Sequence, residues 1–172
     1  LWKYVVTADV EKMYRQVKVA EKDQSYQHIL WRDNINDSIK EFKLTTVTYG
    51  TASAPFLAVR SLMYIADRCP EEDVLISKII KEDFYMDDLM TGADSIQQCK
   101  MIQHKVEIQL KKFGFHLRKW LSNNKQITND VKNTKMNDVI EIEDESVKTL
   151  GLQWDPANDD FLFNINFKKK KD

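Results

Sequence analysis

Four glycines and three prolines in 172 residues leave little to punctuate this chain. No segment is of low complexity and no unit repeats, which excludes collagen-like, linker-rich and solenoid architectures. Two cysteines, Cys69 and Cys99, are too few and too far apart for a disulfide framework or a metal knuckle. Each is expected to be a small core residue in a reducing compartment. No apolar run is long enough to span a bilayer, and no membrane partner is expected. Charge of one sign is also missing. Lys and Arg total 26 against 27 Asp and Glu, a formal net charge of −1, so the whole chain has no electrostatic pull on nucleic acid. Basic residues cluster instead in "LKKFGFHLRKW" and in the closing "FKKKKD", the latter read as a solvated tail.

What is present is a globular composition, 42% hydrophobic and 31% charged, long enough for one domain with a sizeable core. The chain opens without Met on the strand-like "LWKYVVTAD", which carries Val5 and Val6 inward and ends at an acid, so it is expected to be a piece of a longer protein. "YRQVKVAEKD" alternates and reads as a second strand or a turn into one. "YQHILWRD" and "EFKLTTVTYG" flank the turn-rich "NINDS" and predict a β-hairpin. "SAPFLAVRSLMYIADRCP" predicts a buried helix, capped by Ser53, with Pro55 in its first turn and Pro70 ending it. "EEDVLISKIIKED" predicts an amphipathic helix. A further helix runs through "DSIQQCKMIQHKVEIQLKKFG". Ser95 and Gln98 have capping-box spacing there, Cys99, Ile102, Val106 and Leu110 form an apolar stripe, and Gly114 closes it. "FHLRKWLS" reads as a strand and "NNKQITNDVKNTKMNDVIEIEDES" as loop. "VKTLGLQWDP" and "DFLFNINF" read as a terminal strand pair turning at Pro156–Asp160. Antiparallel strands with packed helices predict an α+β fold.

The stretch "KEDFYMDDLMTG" sets Asp87 beside Asp88 in apolar surroundings. Burying an unpaired carboxylate is costly, and adjacent like charges repel. A solvated turn is the plain reading of such a pair. Here the flanks "DFYM" and "LMT" predict a hairpin with its tight turn at the pair, burying Phe84 and Leu89. Asp9 also ends a strand. If the two elements are neighbours, three carboxylates converge at one sheet edge and require a cation. A hard ion such as Mg²⁺, bound by carboxylates together with substrate phosphates, is the natural choice, and two such ions clamp an in-line phosphoryl transfer.

These residues also carry a resemblance. "FYMDDLMTGAD" resembles the Tyr-Met-Asp-Asp motif of reverse transcriptases. "VVTADVEKMYRQVKV", "TVTYGTASAPFLAVRSLM", "GFHLRKWLSN" and "KTLGLQWDP" resemble that family's other motifs, in the family's order. Their wording is most like the BEL/Pao group of LTR retrotransposons. The resemblance implies a right-hand polymerase palm, antiparallel sheet on helices, with a partial fingers hairpin inserted. Residues 1–16 would hold the first acidic motif, 17–54 the partial fingers, and 55–172 the palm with catalytic hairpin and primer grip. It implies an RNA-directed DNA polymerase that joins a dNTP to a primer 3′-hydroxyl with two Mg²⁺ ions, Mn²⁺ being an alternative.

By the same resemblance Asp9 and Asp87 would be the principal metal ligands, Asp88 would assist and the Val10 carbonyl would complete one ion. Tyr14 would be the steric gate against a 2′-hydroxyl. Glu11 and Lys12 lie in the turn whose amides would meet the triphosphate. Tyr49 and Gly50 stand where retroviral enzymes carry Gln-Gly, so an aromatic contact would replace an amide. Ser53 and Pro55 would set the helix under the template, Tyr85 and Met86 would flank the primer terminus, and Leu150 and Gly151 would belong to the primer grip. Lys119, or Arg118, would donate a proton to pyrophosphate. The implied partners are an RNA or DNA template with primer, dNTP, and the remainder of a retroelement polyprotein: upstream fingers, thumb, ribonuclease H and integrase. Without these the isolated piece is expected to be weakly active or inactive. The implied location is a cytoplasmic virus-like particle. Two other readings remain at this stage, a viral RNA-dependent RNA polymerase palm and a non-catalytic, nucleic-acid-binding remnant.

Overall fold

The chain was described through a computed structural model, which covers residues 2–128, 147–149 and 152–162. Its centre is a four-stranded sheet of order β4-β5-β1-β6, formed by β1 (Tyr4–Val10), β4 (Phe84–Tyr85), β5 (Asp88–Ala93) and β6 (Leu117–Ser122). Every pairing in it is antiparallel. Alternation sends Val6, Ala8 and Val10 of β1 to one face, together with Leu89 and Ala93 of β5 and Leu117 and Trp120 of β6. Val5, expected inward with Val6, is only half-buried, because neighbouring residues of a strand point to opposite faces.

Three helices cover the apolar face: α2 (Ala54–Ala66), α3 (Val74–Glu82) and α4 (Ile96–Lys111). The expected α4 stripe is realised, with Cys99, Ile102, Val106 and Leu110 all buried. Ser95 caps that helix by accepting the Gln98 N–H at 3.2 Å, and Gly114 takes the left-handed φ of +83° just past its end. From α3 come Ile76, Ile79 and Ile80; from α2 come Ala58, Leu62 and Ile65. Gln109 of α4 donates to the Ile65 carbonyl at 3.0 Å, tying α4 to α2. Each fully buried Leu or Ile contributes about 1.5–3 kcal/mol by leaving water.

Several expectations needed correction. Helix α2 is not buried all round: Phe56 and Tyr64 are exposed, because only its Ala58–Leu62–Ile65 side faces the core. Ser53 lies in helical backbone (φ −85°, ψ −14°) and makes no capping bond with its side chain, since a cap needs extended backbone to turn its oxygen onto the first turn. Cys99 is core, but Cys69 is only half-buried. "YRQVKVAEKD" forms no second strand. It begins in a short helix, α1 (Met13–Gln16), which buries Met13, keeps one bridge, Lys18 to Thr46, and runs into a 3-10 helix at Glu21–Tyr26. The stretch after β6 is helical at 125–128 rather than loop, and its remainder to 146 lies outside the described residues.

The predicted hairpin pairs β2 (His28–Trp31) with β3 (Lys40–Lys43). Beyond it, β7 (Val147–Thr149), β8 (Leu152–Asp155) and β9 (Asp160–Leu162) form a three-stranded sheet, so the C-terminal pair gains a third strand. Among the described residues, no helix is long and apolar enough to cross a membrane.

Candidate active site

Asp9 and Asp88 meet on the face of the sheet opposite the helices. They are direct cross-strand partners, Asp9 at the end of β1 and Asp88 at the start of β5. The Val10 N–H donates to the Asp87 carbonyl at 2.8 Å. Asp9 and Asp88 therefore oppose each other between hydrogen-bonded pairs, where Cα atoms approach to about 4.5 Å and side chains lie closest. The row continues to Tyr85 on one side and Arg118 on the other, by the pairings Tyr85–Asp88 and Asp9–Arg118.

The turn of the β4–β5 hairpin is Met86–Asp87, not the two acids as expected. Pairing of Tyr85 with Asp88 makes Asp88 the first residue of β5 and leaves Asp87 alone at the tip. Met86 takes φ 57°, an uncommon conformation for a long side chain and one that clusters at functional sites. The turn is anchored on the other side by Leu89, which is 1% exposed.

Strand β6 supplies the cations through a bulge. Thr7 pairs with Leu121 and Asp9 with Arg118, so two residues of β6, Lys119 and Trp120, span the place of one in β1. Lys119 is left-handed at φ 54°. Without the bulge, alternation would send Lys119 inward with Leu117. With it, Leu117 and Trp120 both reach the core while Arg118 and Lys119 turn outward. Lys119 Nζ then lies 3.7 Å from Asp9 Oδ2, and Arg118 Nε donates to Glu11 Oε2 at 2.9 Å. The residue pair left open by the sequence is thereby divided between two different acids.

Electrostatics follow the geometry. Burial raises the Asp9 carboxyl above its ordinary value, opposed by Lys119 and reinforced by Asp87. Burial also raises Asp88, helped by the charges of Asp87 and Asp9. The Arg118 hydrogen bond lowers Glu11. Together they form an acid cluster with more negative charge than Lys119 neutralises. Hard oxygen donors with excess charge suit a divalent cation in kind. They are not drawn into a cage: among the described residues, no three acidic, His or Cys side chains are grouped to hold a metal ion.

The family model described as reverse transcriptase (RNA-dependent DNA polymerase) matches residues 2–154. The chain belongs to the reverse transcriptase family. No curated protein matches it. The sheet and helices are this family's palm, and the chemistry is that of a nucleotidyltransferase, in general RNA-directed DNA polymerisation. A reverse transcriptase domain works on a nucleic-acid template and primer, takes deoxynucleoside triphosphates, and generally uses divalent metal ions.

The other residues singled out in the sequence fall in separate places. Tyr14 of α1 and Tyr49 pack edge to face, ring centroids 4.7 Å apart at 85°. Gly50 follows at φ +82°, in open space. Ser53 and Pro55 stand at the start of α2. Tyr85 is exposed beside the acid row. Leu150 and Gly151 lie outside the described residues. The sequence reading missed the Arg118–Glu11 pair and the bulge. A signal for the bulge exists in "LRKWLS", where two adjacent cations interrupt an apolar alternation.

Proposed function

We propose that this reverse transcriptase domain is the polymerase core of an LTR retrotransposon, most like the BEL/Pao group, copying a template by joining dNTP to a primer 3′-hydroxyl. The observation that carries the reading is the register pair Asp9–Asp88, with Asp87 at the adjoining turn and Lys119 at 3.7 Å from Asp9. Asp9, Asp87 and Asp88, with the Val10 carbonyl, would hold two divalent ions, Mg²⁺ or Mn²⁺. Such ions supply charge neutralisation and a more acidic hydroxyl when bound.

The chain's own residues do the rest. The hairpin and β1 carry the carboxylates on a paired sheet, which limits the reorganisation needed when charge develops. Tyr14, steadied by the Tyr49 ring, stands below the incoming sugar and excludes a 2′-hydroxyl. The Glu11–Lys12 turn meets the triphosphate, with Gly50 close by. Lys119 leaves Asp9 for the pyrophosphate and delivers a proton to its departing oxygen. Ser53 and Pro55 orient the helix beneath the template; Tyr85 and Met86 border the primer terminus; Leu150 and Gly151 grip the primer. Residues 17–54 act as partial fingers inserted in a palm of 1–16 and 55–172. The parent polyprotein works in a cytoplasmic particle.

Primer extension on an RNA template with Mg²⁺, in a chain restored with fingers and thumb, tests the reading. Asp87→Asn should lower extension by about 10²–10³-fold through lost electrostatic stabilisation. Retention of full activity would remove the acid cluster from catalysis. Tyr14→Ala should admit ribonucleotides; unchanged sugar selectivity would sink the gate.

A further inference from the structure

Resting on the nucleotide-binding reading of the turn after Val10, we propose that Arg118 is a positioning residue for that turn and acts through Glu11. The turn is costly to hold. Lys12 sits in left-handed backbone at φ 49°, ψ 44°, a conformation that favours glycine, and its side chain makes no capping bond in return. Contacts converge on the preceding residue, Glu11. Its N–H donates to the His116 carbonyl at 2.8 Å, its carbonyl accepts from Gln16 Nε2 at 3.1 Å, and its carboxylate accepts from Arg118 Nε at 2.9 Å. The first and last tie the turn to the segment entering β6, over a hundred residues away in sequence. Arg118 reaches Glu11 because it pairs with Asp9 next to Leu117, and alternation turns it to the acid face, where the bulge also keeps Lys119.

The chemistry gives Arg118 a second task. A free Glu11 carboxylate beside a triphosphate would repel it. Bound to Arg118, it is neutralised and held to one side, leaving the backbone amides that follow Glu11 for phosphate oxygens. The pair is about one-third exposed on both sides, so it adds little to global stability. Its effect is local order, paid for before nucleotide arrives.

Hydrogen exchange and kinetics on the full chain separate this role from a structural one. Arg118→Ala and Glu11→Gln should each speed amide exchange across residues 10–14 about tenfold with the melting temperature unchanged. The double variant should be no faster than either single one, because the two act as a unit. In primer extension, Arg118→Ala should raise KM for dNTP several-fold with kcat within twofold. Unchanged exchange at 10–14, or additive effects in the double variant, would overturn the assignment. So would a loss confined to kcat, which would place Arg118 at the chemical step. If the chain carrying fingers and thumb, with Arg118 intact, extends no primer, the polymerase reading falls instead, and the exchange measurements still decide the Arg118 role.

Discussion

Two hairpins in this molecule have opposite surroundings. In β4–β5 the wall strand is buried at Leu89, Thr91 and Ala93, with Asp87 in the turn and Asp88 at the strand's start. In β2–β3 every residue of both strands is exposed, Leu30, Trp31 and Phe42 among them. Local polar contacts hold the second hairpin together. His28 pairs with Glu41 at 2.5 Å, the Trp31 indole donates to Asp33 at 3.0 Å, and Asn34 and Asp37 close the loop. At its base, Gln27 bonds the Leu44 and Thr46 carbonyls and the Thr48 N–H. The first hairpin is fixed by the layer behind it, the second by its own ends. A catalytic constellation needs the first kind of support, since carboxylates must stay within fractions of an ångström of their places.

Side-chain truncation should break the symmetry most sharply. Leu89→Ala removes a fully buried side chain and should cost about 2–5 kcal/mol in denaturant unfolding, whereas Leu30→Ala should fall within about 0.5 kcal/mol of wild type. Comparable losses at both sites would mean that a covering layer lies over β2–β3 as well.

Gly92→Ala probes how tightly the inner hairpin is enclosed. A Cβ there would sit 2.3 Å from the Tyr4 carbonyl oxygen and 2.7 Å from the Trp2 Cβ. Backbone cannot yield as a side-chain tip does, so a loss of about 1–3 kcal/mol is expected. At Gly50, where a Cβ meets nothing, the cost arises only from φ +82° and should be near 1 kcal/mol.

The smallest expected effect concerns the charge on the inner hairpin. Folding raises the Asp88 carboxyl, so the native state binds its proton more tightly than the unfolded chain does. Stability from this group is therefore present below the unfolded value of 3.8 and lost as pH rises through the folded value. Asp88→Asn cannot lose that proton. In chelator it should match wild type at acidic pH and exceed it at pH 7, by less than about 1 kcal/mol since Asp88 is partly exposed. Melting curves across pH check this. A variant less stable at pH 7 would reverse the sign. Adding a divalent cation should raise the wild-type melting temperature more than that of the variant.

Much of this was legible locally. The Ser95 cap and the Cys99–Leu110 stripe follow from side-chain chemistry within one or two helical turns. The acids Asp87 and Asp88 stand out as charges that their apolar neighbours cannot explain. What failed were features set by distant partners. Ser53 has a cap's identity but not its backbone, and α2 has apolar residues all round but a core on one side only. The turn at Met86–Asp87 could not be placed from "YMDD" alone, because a hairpin's register is chosen by pairing across strands.

The sequence by itself determined the residue types: carboxylates at two strand ends, two adjacent cations in a third strand, and the periodicities that make an α+β fold. Those depend on spacing along the chain, which sequence records directly. Only the tertiary structure decided which acid meets which cation. Arg118 reaches Glu11 from its register place opposite Asp9, and Lys119 reaches Asp9 because a single-residue bulge follows in β6 and keeps it on the same face. Side-chain direction in a strand reverses with every residue, so one extra residue redirects an entire charge pattern, and its position is settled by packing Leu117 and Trp120 into the same core.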